Sequence, residues 1–235
     1  MILTAAAVGA LAGCGRAAHG GVAGASKTVC ASFAPARDTA WAAVVTRPLT
    51  AFRRPGHGAI ARFGLRNVNR VDTVFGVLRG TCRSRWLRVQ LPVRPNGAAG
   101  WVRADGVRLL RVHTRIVVDL SERRLRFYEG GRLKLQSPAA VGSSATPTPL
   151  GRYYVDQRLI PDDERGPFGP GAIGISAFSP VLTNWAQGGP VAIHGTNEPW
   201  SIGHAVSNGC IRIRNAVLRR LFKVTPAGTP VVIRR

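Results

Sequence analysis

Short apolar stretches alternate with glycine and proline along most of the chain, a rhythm of brief strands and tight turns rather than of long helices. Apolar and polar side chains alternate through Trp86-Leu87-Arg88-Val89-Gln90-Leu91 and again through Leu125-Arg126-Phe127-Tyr128-Glu129, as expected of strands with one buried face. Gly130-Gly131 separates the second run from Leu133-Lys134-Leu135 and predicts a hairpin with Ile116-Val117-Val118-Asp119-Leu120 beside it. Further strands are expected at Arg152 to Leu159, Pro190 to Ile193, Ile211 to Ile213 and Val231 to Ile233. One helix is expected after Asn215, which would cap it, with Ala216, Val217, Leu218, Leu221 and Phe222 on its inner face. The proline-pinned stretch from Ser143 to Gly151 reads as a loop. Ile160 to Ala172 reads as a long exposed excursion, the kind of segment that serves as a lid. The fold class is therefore mainly β, with one or two short helices. Ala43 to Arg111 suggests about five short strands curled into a small barrel.

Composition then bounds the setting. The chain has 235 residues and a hydrophobic fraction of 45%, enough for one large or two small packed units. Its formal charge of +22 comes from 33 basic against 11 acidic side chains, and Lys27, Lys134 and Lys223 are the only lysines. Such a surplus implies a polyanionic neighbour. Nucleic acid is not the expected one, because the arginines form no long run and no zinc-finger spacing or helix-turn-helix pattern is visible. A cell wall or membrane rich in carboxylates and phosphates fits better. Met1 to Ala12 is apolar and too short to span a bilayer, as a signal-peptide hydrophobic region is. Leu11-Ala12-Gly13-Cys14 resembles a bacterial lipobox, which implies export, lipidation at Cys14 and membrane anchoring, although no Lys or Arg precedes the apolar run. A buried N-terminal helix is the alternative. The expected organisation is a signal and lipobox over 1–14, a flexible tether over 15–41, the small barrel over 42–111 and a second unit over 112–235.

Three cysteines remain beyond Cys14: Cys30, Cys82 and Cys210. In an exported protein Cys30 and Cys82 are candidates for a disulfide, the alternative being two unpaired thiols; the bridge would leave Cys210 as the odd thiol. Cys210 follows Ser207-Asn208-Gly209, turn material that lets successive N–H groups converge and stabilise an oxyanion. His194 and His204 lie nearby, and a histidine can take the proton that a thiol must lose to become a good nucleophile. The bland alternative is a small buried hydrophobe. A metal set of His194, His204 and Cys210 lacks the close ligand pairs of structural zinc sites. Asp162, Asp163 and Glu164 read as a solvated loop rather than a cation site.

Two resemblances sharpen this. Trp86 to Val102 is similar to the C-terminal half of a bacterial SH3-like domain, with Trp86 and Trp101 expected to fill its small core. His194-Gly195-Thr196-Asn197, Ser201-Ile202-Gly203 and Ser207-Asn208-Gly209-Cys210-Ile211-Arg212 resemble the active-site signature of the L,D-transpeptidase (YkuD-like) catalytic domain, as do the hairpin from Ile116 to Leu135 and Val141-Gly142 through Thr146-Pro147-Thr148-Pro149-Leu150-Gly151. Asn208 departs from the pattern, standing where many members have histidine. The resemblance implies a β-sandwich over Thr114 to Arg235. It implies Cys210 as nucleophile, His194 as general base and acid, the Gly195 carbonyl as the group that orients His194, and the N–H groups of Asn208, Gly209 and Cys210 as the oxyanion hole. Arg212 is a candidate to pair with a substrate carboxylate, and His204 is taken as structural. The implied substrates are peptidoglycan stem peptides, joined directly through their diamino acids, with carbapenems expected to acylate Cys210. The same residues with water as acceptor would give an L,D-carboxypeptidase, and a non-catalytic wall-binding protein is the reading without the thiol. No cofactor or metal is called for, and a monomer is expected.

Overall fold

The computed structural model describes residues 32–36 and 38–235; Cys14 and Cys30, and with them the lipobox and one half of the expected disulfide, lie outside the described residues. Cys82 is disulfide-bonded.

The first strands are β1 (Ala40–Val45), β2 (Leu49–Arg54), β3 (His57–Phe63), β4 (Val74–Arg79), β5 (Trp86–Gln90), β6 (Ala99–Arg103) and β7 (Val107–Val112). They make a seven-stranded antiparallel sheet in the order β3-β2-β6-β5-β4-β1-β7, two strands more than the sequence suggested. β3 shows why: none of its seven residues is fully buried, so its pattern carries little signal. The alternation in β5 is real, but its core face is Leu87, Val89 and Leu91, packed with Phe75 and Val102. Trp86 and Trp101 lie half-buried on the opposite face, which corrects the expectation that they fill the core. Trp86 meets the Phe52 ring edge-on and carries the Arg103 guanidinium over its own ring.

The second set is β8 (Thr114–Asp119), β9 (Arg124–Glu129), β10 (Arg132–Pro138), β11 (Val141–Gly142), β12 (Gly151–Leu159), β13 (Ala172–Phe178), β14 (Pro190–His194), β15 (Ala205–Ser207), β16 (Ile211–Arg212) and β17 (Pro230–Arg234), with one α-helix, α1 (Asn215–Val224), before β17. Eight of these strands form a mixed sheet in the order β10-β9-β8-β17-β12-β13-β14-β16, and β11 pairs with β15. Among the described residues the fold is mainly β with one α-helix, within the one or two short helices expected. Gly130 and Gly131 take positive φ at the β9–β10 turn, which explains the Gly-Gly there. One core joins Ile116, Phe127, Val155, Ile173, Ile193 and Ile211 to Leu218 and Leu221 of α1. Arg214, not Asn215, occupies the N-cap, and it makes no side-chain capping bond; Asn215 is used elsewhere.

The two sheets are stitched together by specific bonds. The Tyr154 hydroxyl donates to the Val74 carbonyl at 3.1 Å, and Gln90 Nε2 donates to the Arg152 carbonyl at 2.8 Å. Asn96 exchanges two 2.8 Å bonds with the backbone of Phe178. Gly76 leaves room for the Tyr154 ring: a Cβ there would lie 2.9 Å from it.

Candidate functional site

β14 and β16 are parallel neighbours, with Ile193 opposite Ile211 and His194 opposite Arg212. These isoleucines alternate into the core, so the intervening residues face outward together. That register brings His194, Arg212 and Cys210 to one groove of about 510 Å³, although an excursion of fifteen residues separates His194 from Cys210 in the chain. Ala172, Gly174 and Ala192 also line this groove, and their small side chains leave it open between the larger walls. One wall comes from the first sheet's side of the molecule. Asn69 lines the groove, donates to Gln157 Oε1 at 2.8 Å, and accepts from Gln187 Nε2 at 2.9 Å.

His194 is 4% exposed. Its Nδ1 lies 2.6 Å from the Gly195 carbonyl, the interaction expected to orient the ring. The excursion between β12 and β13 closes over it: the Phe168 ring meets the imidazole edge-on at 5.0 Å, and Pro167 lines the groove beside it. Burial pushes the imidazole down to about 4, and the Arg212 charge adds to this, against the opposing pull of the Gly195 and Pro167 carbonyls. His194 is therefore neutral near pH 7 and able to accept a proton.

Cys210 is the free cysteine among the described residues. Its Sγ accepts from the Ala192 N–H at 3.4 Å. Burial pushes the thiol up, with the Ala192 N–H and Arg212 pulling the other way. The pair is thus poised as thiol and neutral imidazole rather than as a preformed ion pair.

The turn before Cys210 is braced from behind. The Ser207 hydroxyl donates to the Cys210 carbonyl at 2.5 Å and accepts from the Gly209 N–H at 3.2 Å. The Thr148 hydroxyl donates to the Gly209 carbonyl at 2.9 Å, and Thr146 donates to the Ser207 carbonyl at 2.8 Å. Gly209 has φ 107°, a backbone state that favours glycine. Of the three N–H groups expected at the oxyanion hole, that of Gly209 is engaged by Ser207, while those of Asn208 and Cys210 make no bond within the described residues.

Arg212 lines the groove, but its guanidinium is ion-paired with Glu198, a residue that sequence reasoning did not single out. A pair joining two residues fourteen apart across an irregular loop leaves no periodic trace. Asn215 Oδ1 accepts the Thr196 N–H at 2.7 Å and so ties α1 to the turn that carries the Gly195 carbonyl. His204 is exposed and outside the groove lining. In the long excursion Glu164 pairs with Arg219 at 2.6 Å and Asp163 with Arg165 at 3.6 Å. No cluster of three or more His, Cys, Asp or Glu able to hold a metal occurs among the described residues.

Comparison with known proteins gives this geometry a family. The model of the L,D-transpeptidase catalytic domain (YkuD) matches residues 113–233. The L,D-transpeptidase named YkuD of Bacillus licheniformis is 42% identical over 119 residues, 51% of this chain and 64% of its own. That of Bacillus subtilis is 39% identical over 120 residues, 51% of this chain and 65% of its own. The chain therefore spans less than two thirds of the length of these relatives. Among solved structures, the NMR structure of the catalytic domain from the E. faecium L,D-transpeptidase covers 51% of this chain and 95% of its own, at 26% identity and a TM-score of 0.38. On the match of the family model, the chain belongs to the family of L,D-transpeptidase catalytic domains.

Proposed function

We propose that this protein is a peptidoglycan L,D-transpeptidase that works through a cysteine acyl-enzyme. The observation that carries the reading is the juxtaposition of Cys210 and a neutral, carbonyl-oriented His194 in one groove. In the first step Cys210 Sγ attacks the amide carbonyl between the L-centre of a stem diamino acid and the terminal D-Ala, and His194 takes the thiol proton. The tetrahedral oxyanion is met by the N–H groups at Asn208 to Cys210, with the Gly209 N–H exchanging its Ser207 bond for the substrate. Collapse expels D-Ala, its amine protonated by His194, and leaves a thioester. In the second step the amine of another stem attacks the thioester, His194 accepts its proton, and the proton returns to the departing sulfur. The product is a direct bond between two diamino acids.

Glu198 holds the Arg212 guanidinium in an ion pair. A stem carboxylate would compete with Glu198 for the guanidinium fork. Residues 42–111 are assigned as an SH3-like domain, and the protein as a monomer, exported to the cell envelope and held by lipid at Cys14. The net charge of +22 suits an anionic wall, and no helix of the described residues is long and apolar enough to cross a membrane.

The test is intact-mass spectrometry of the reaction with a disaccharide-tetrapeptide, alongside Cys210→Ala. A cross-linked dimer that requires Cys210 supports the reading. A tripeptide product alone, still requiring Cys210, makes water the acceptor and the protein an L,D-carboxypeptidase. Acylation at another residue would sink the assignment of the nucleophile.

A further inference from the structure

The loop between β3 and β4 folds on itself before it reaches the second sheet. The Asn67 side-chain oxygen accepts the backbone N–H groups of Asn69 at 2.9 Å and Val71 at 3.4 Å, and the Asn67 N–H donates to the Val71 carbonyl at 2.9 Å. Asn67 and Asn69 are half-buried, whereas Val68 and Arg70 are exposed. Both amides turn toward β12 and donate to one atom, Gln157 Oε1, at 3.0 and 2.8 Å. Each amide fixes the next. Backbone donors occupy Oδ1 of Asn67, so its Nδ2 faces Gln157. Two N–H groups then occupy Oε1 of Gln157, and Nε2 is left pointing away from the loop. Gln187 fixes Asn69 in the same way, donating to its Oδ1 at 2.9 Å. Gln157 Nε2 has no hydrogen-bond partner among the described residues and is not sealed from solvent.

That amide lies on the floor of the catalytic groove. Gln157 is paired with Gly174, Gly174 with Ala192, and the Ala192 N–H meets Cys210 Sγ at 3.4 Å. All four residues line the groove. Gly174 gives Gln157 its place: a Cβ there would lie 2.5 Å from Cγ and 3.0 Å from Nε2 of Gln157. Nε2 therefore overlies β13, one strand from Ala192, which is about 5 Å of sheet. With only glycine and alanine between, it is the first side-chain donor met along this row on leaving Cys210. An extended chain advances about 3.3 Å per residue. A peptide with its reacting carbonyl at Cys210 thus brings another carbonyl to Nε2 one or two residues away. An apolar floor would leave that oxygen unpaired, and an amide already held in place satisfies it with little further ordering. On the peptide-processing reading above, we propose that Gln157 is a specificity-determining residue whose Nε2 donates to a backbone carbonyl of the bound peptide, with Asn67 and Asn69 as the positioning residues that present it. Two peptides share that chemistry: the stem that acylates Cys210, and the stem that then accepts the acyl group.

The test is mass spectrometry of the two steps in full chains bearing Gln157→Glu or Asn67→Asp. Gln157→Glu keeps an acceptor for both asparagines and removes the donor. Asn67→Asp keeps the acceptor of the Asn69 and Val71 N–H groups and removes the bond to Gln157 Oε1, which lets that amide turn round. Acyl-enzyme formation is followed against the concentration of a disaccharide-tetrapeptide, and cross-linking of the acyl-enzyme against that of a disaccharide-tripeptide. The half-saturating concentration is expected to rise about tenfold in Gln157→Glu and about threefold in Asn67→Asp, at maximal rates within about twofold of the parent. A rise in the first step identifies the acylating stem as the peptide held, and a rise in the second step alone identifies the acceptor. Unchanged half-saturation in both steps overturns the proposal, as does a fall in maximal rate alone, which a merely structural part would give. If the parent chain cross-links through Cys210 and both variants match it, the transpeptidase reading stands without this site. A parent chain that forms no acyl-enzyme overturns that reading, and this proposal with it.

Discussion

At the scale of single residues, the decisive quantity is the protonation state of His194. Its base form is required, and burial holds it well below an ordinary imidazole, at about 4. Carbapenem acylation followed by stopped-flow fluorescence should therefore persist as pH falls from 6.5 to 5, and lose half its rate only near 4. The same displacement acts on stability. Between about 6.5 and 4 the unfolded chain binds a proton that the folded His194 refuses, so stability falls as pH falls, by up to ~1.4 kcal/mol per unit from this group. Arg212 gives a second prediction. Its charge pulls the thiol down against burial, so Arg212→Ala should raise the thiol further and slow iodoacetamide alkylation of Cys210 at pH 8. Cys210 and His194 could be singled out from turn residues, an odd thiol and a histidine nearby in the sequence, whereas the part given to Gly195 came only from the resemblance to the family. Glu198 could not, since its importance lies in a partner fourteen residues away.

At the scale of elements, two loops control the site. The segment after β11 holds the Cys210 turn through Thr146 and Thr148, and Gly142 is where it packs most tightly. A Cβ at Gly142 would lie 2.3 Å from the Thr146 carbonyl oxygen and 2.4 Å from the Thr148 nitrogen, both backbone atoms that cannot step aside. Gly142→Ala should cost about 2 kcal/mol or more, read by chemical denaturation, and should depress acylation in the protein that still folds. The excursion before β13 covers His194 with Phe168, a side chain 46% exposed and so held by few neighbours. Phe168→Ala should leave stability within about 0.5 kcal/mol while opening His194 to water and moving the acid limb of the acylation profile upward. The hairpin, β12, β14 and the helix could be read from alternation, glycines and helical spacing. β13 could not. Six of its seven residues are buried, so it presents no polar alternate positions and resembles no amphipathic template.

At the scale of the whole molecule, the bonds of Tyr154, Gln90 and Asn96 bind the two sheets into one unit of stability. A single unfolding transition is expected in calorimetry, and Tyr154→Phe, which loses the bond to Val74, should lower stability by about 1 kcal/mol. Asp156→Asn should do the reverse. The folded carboxyl sits at about 7, above its ordinary value, so the cost of ionising it grows as pH rises through that range and is fully present above it. Tyr154 is the titratable neighbour that feels the charge. The substitution should raise the melting temperature more at pH 8 than at pH 4, with a ceiling on the order of 4 kcal/mol. The wall that Asn69 contributes has a consequence for how such proteins diversify. If recombination exchanged the first sheet for another module, Cys210 and His194 would keep their strand pairing, but the groove would lose the amide that meets Gln157 and Gln187. Module exchange would then alter which molecules the groove accepts while the reactive pair stayed as it is.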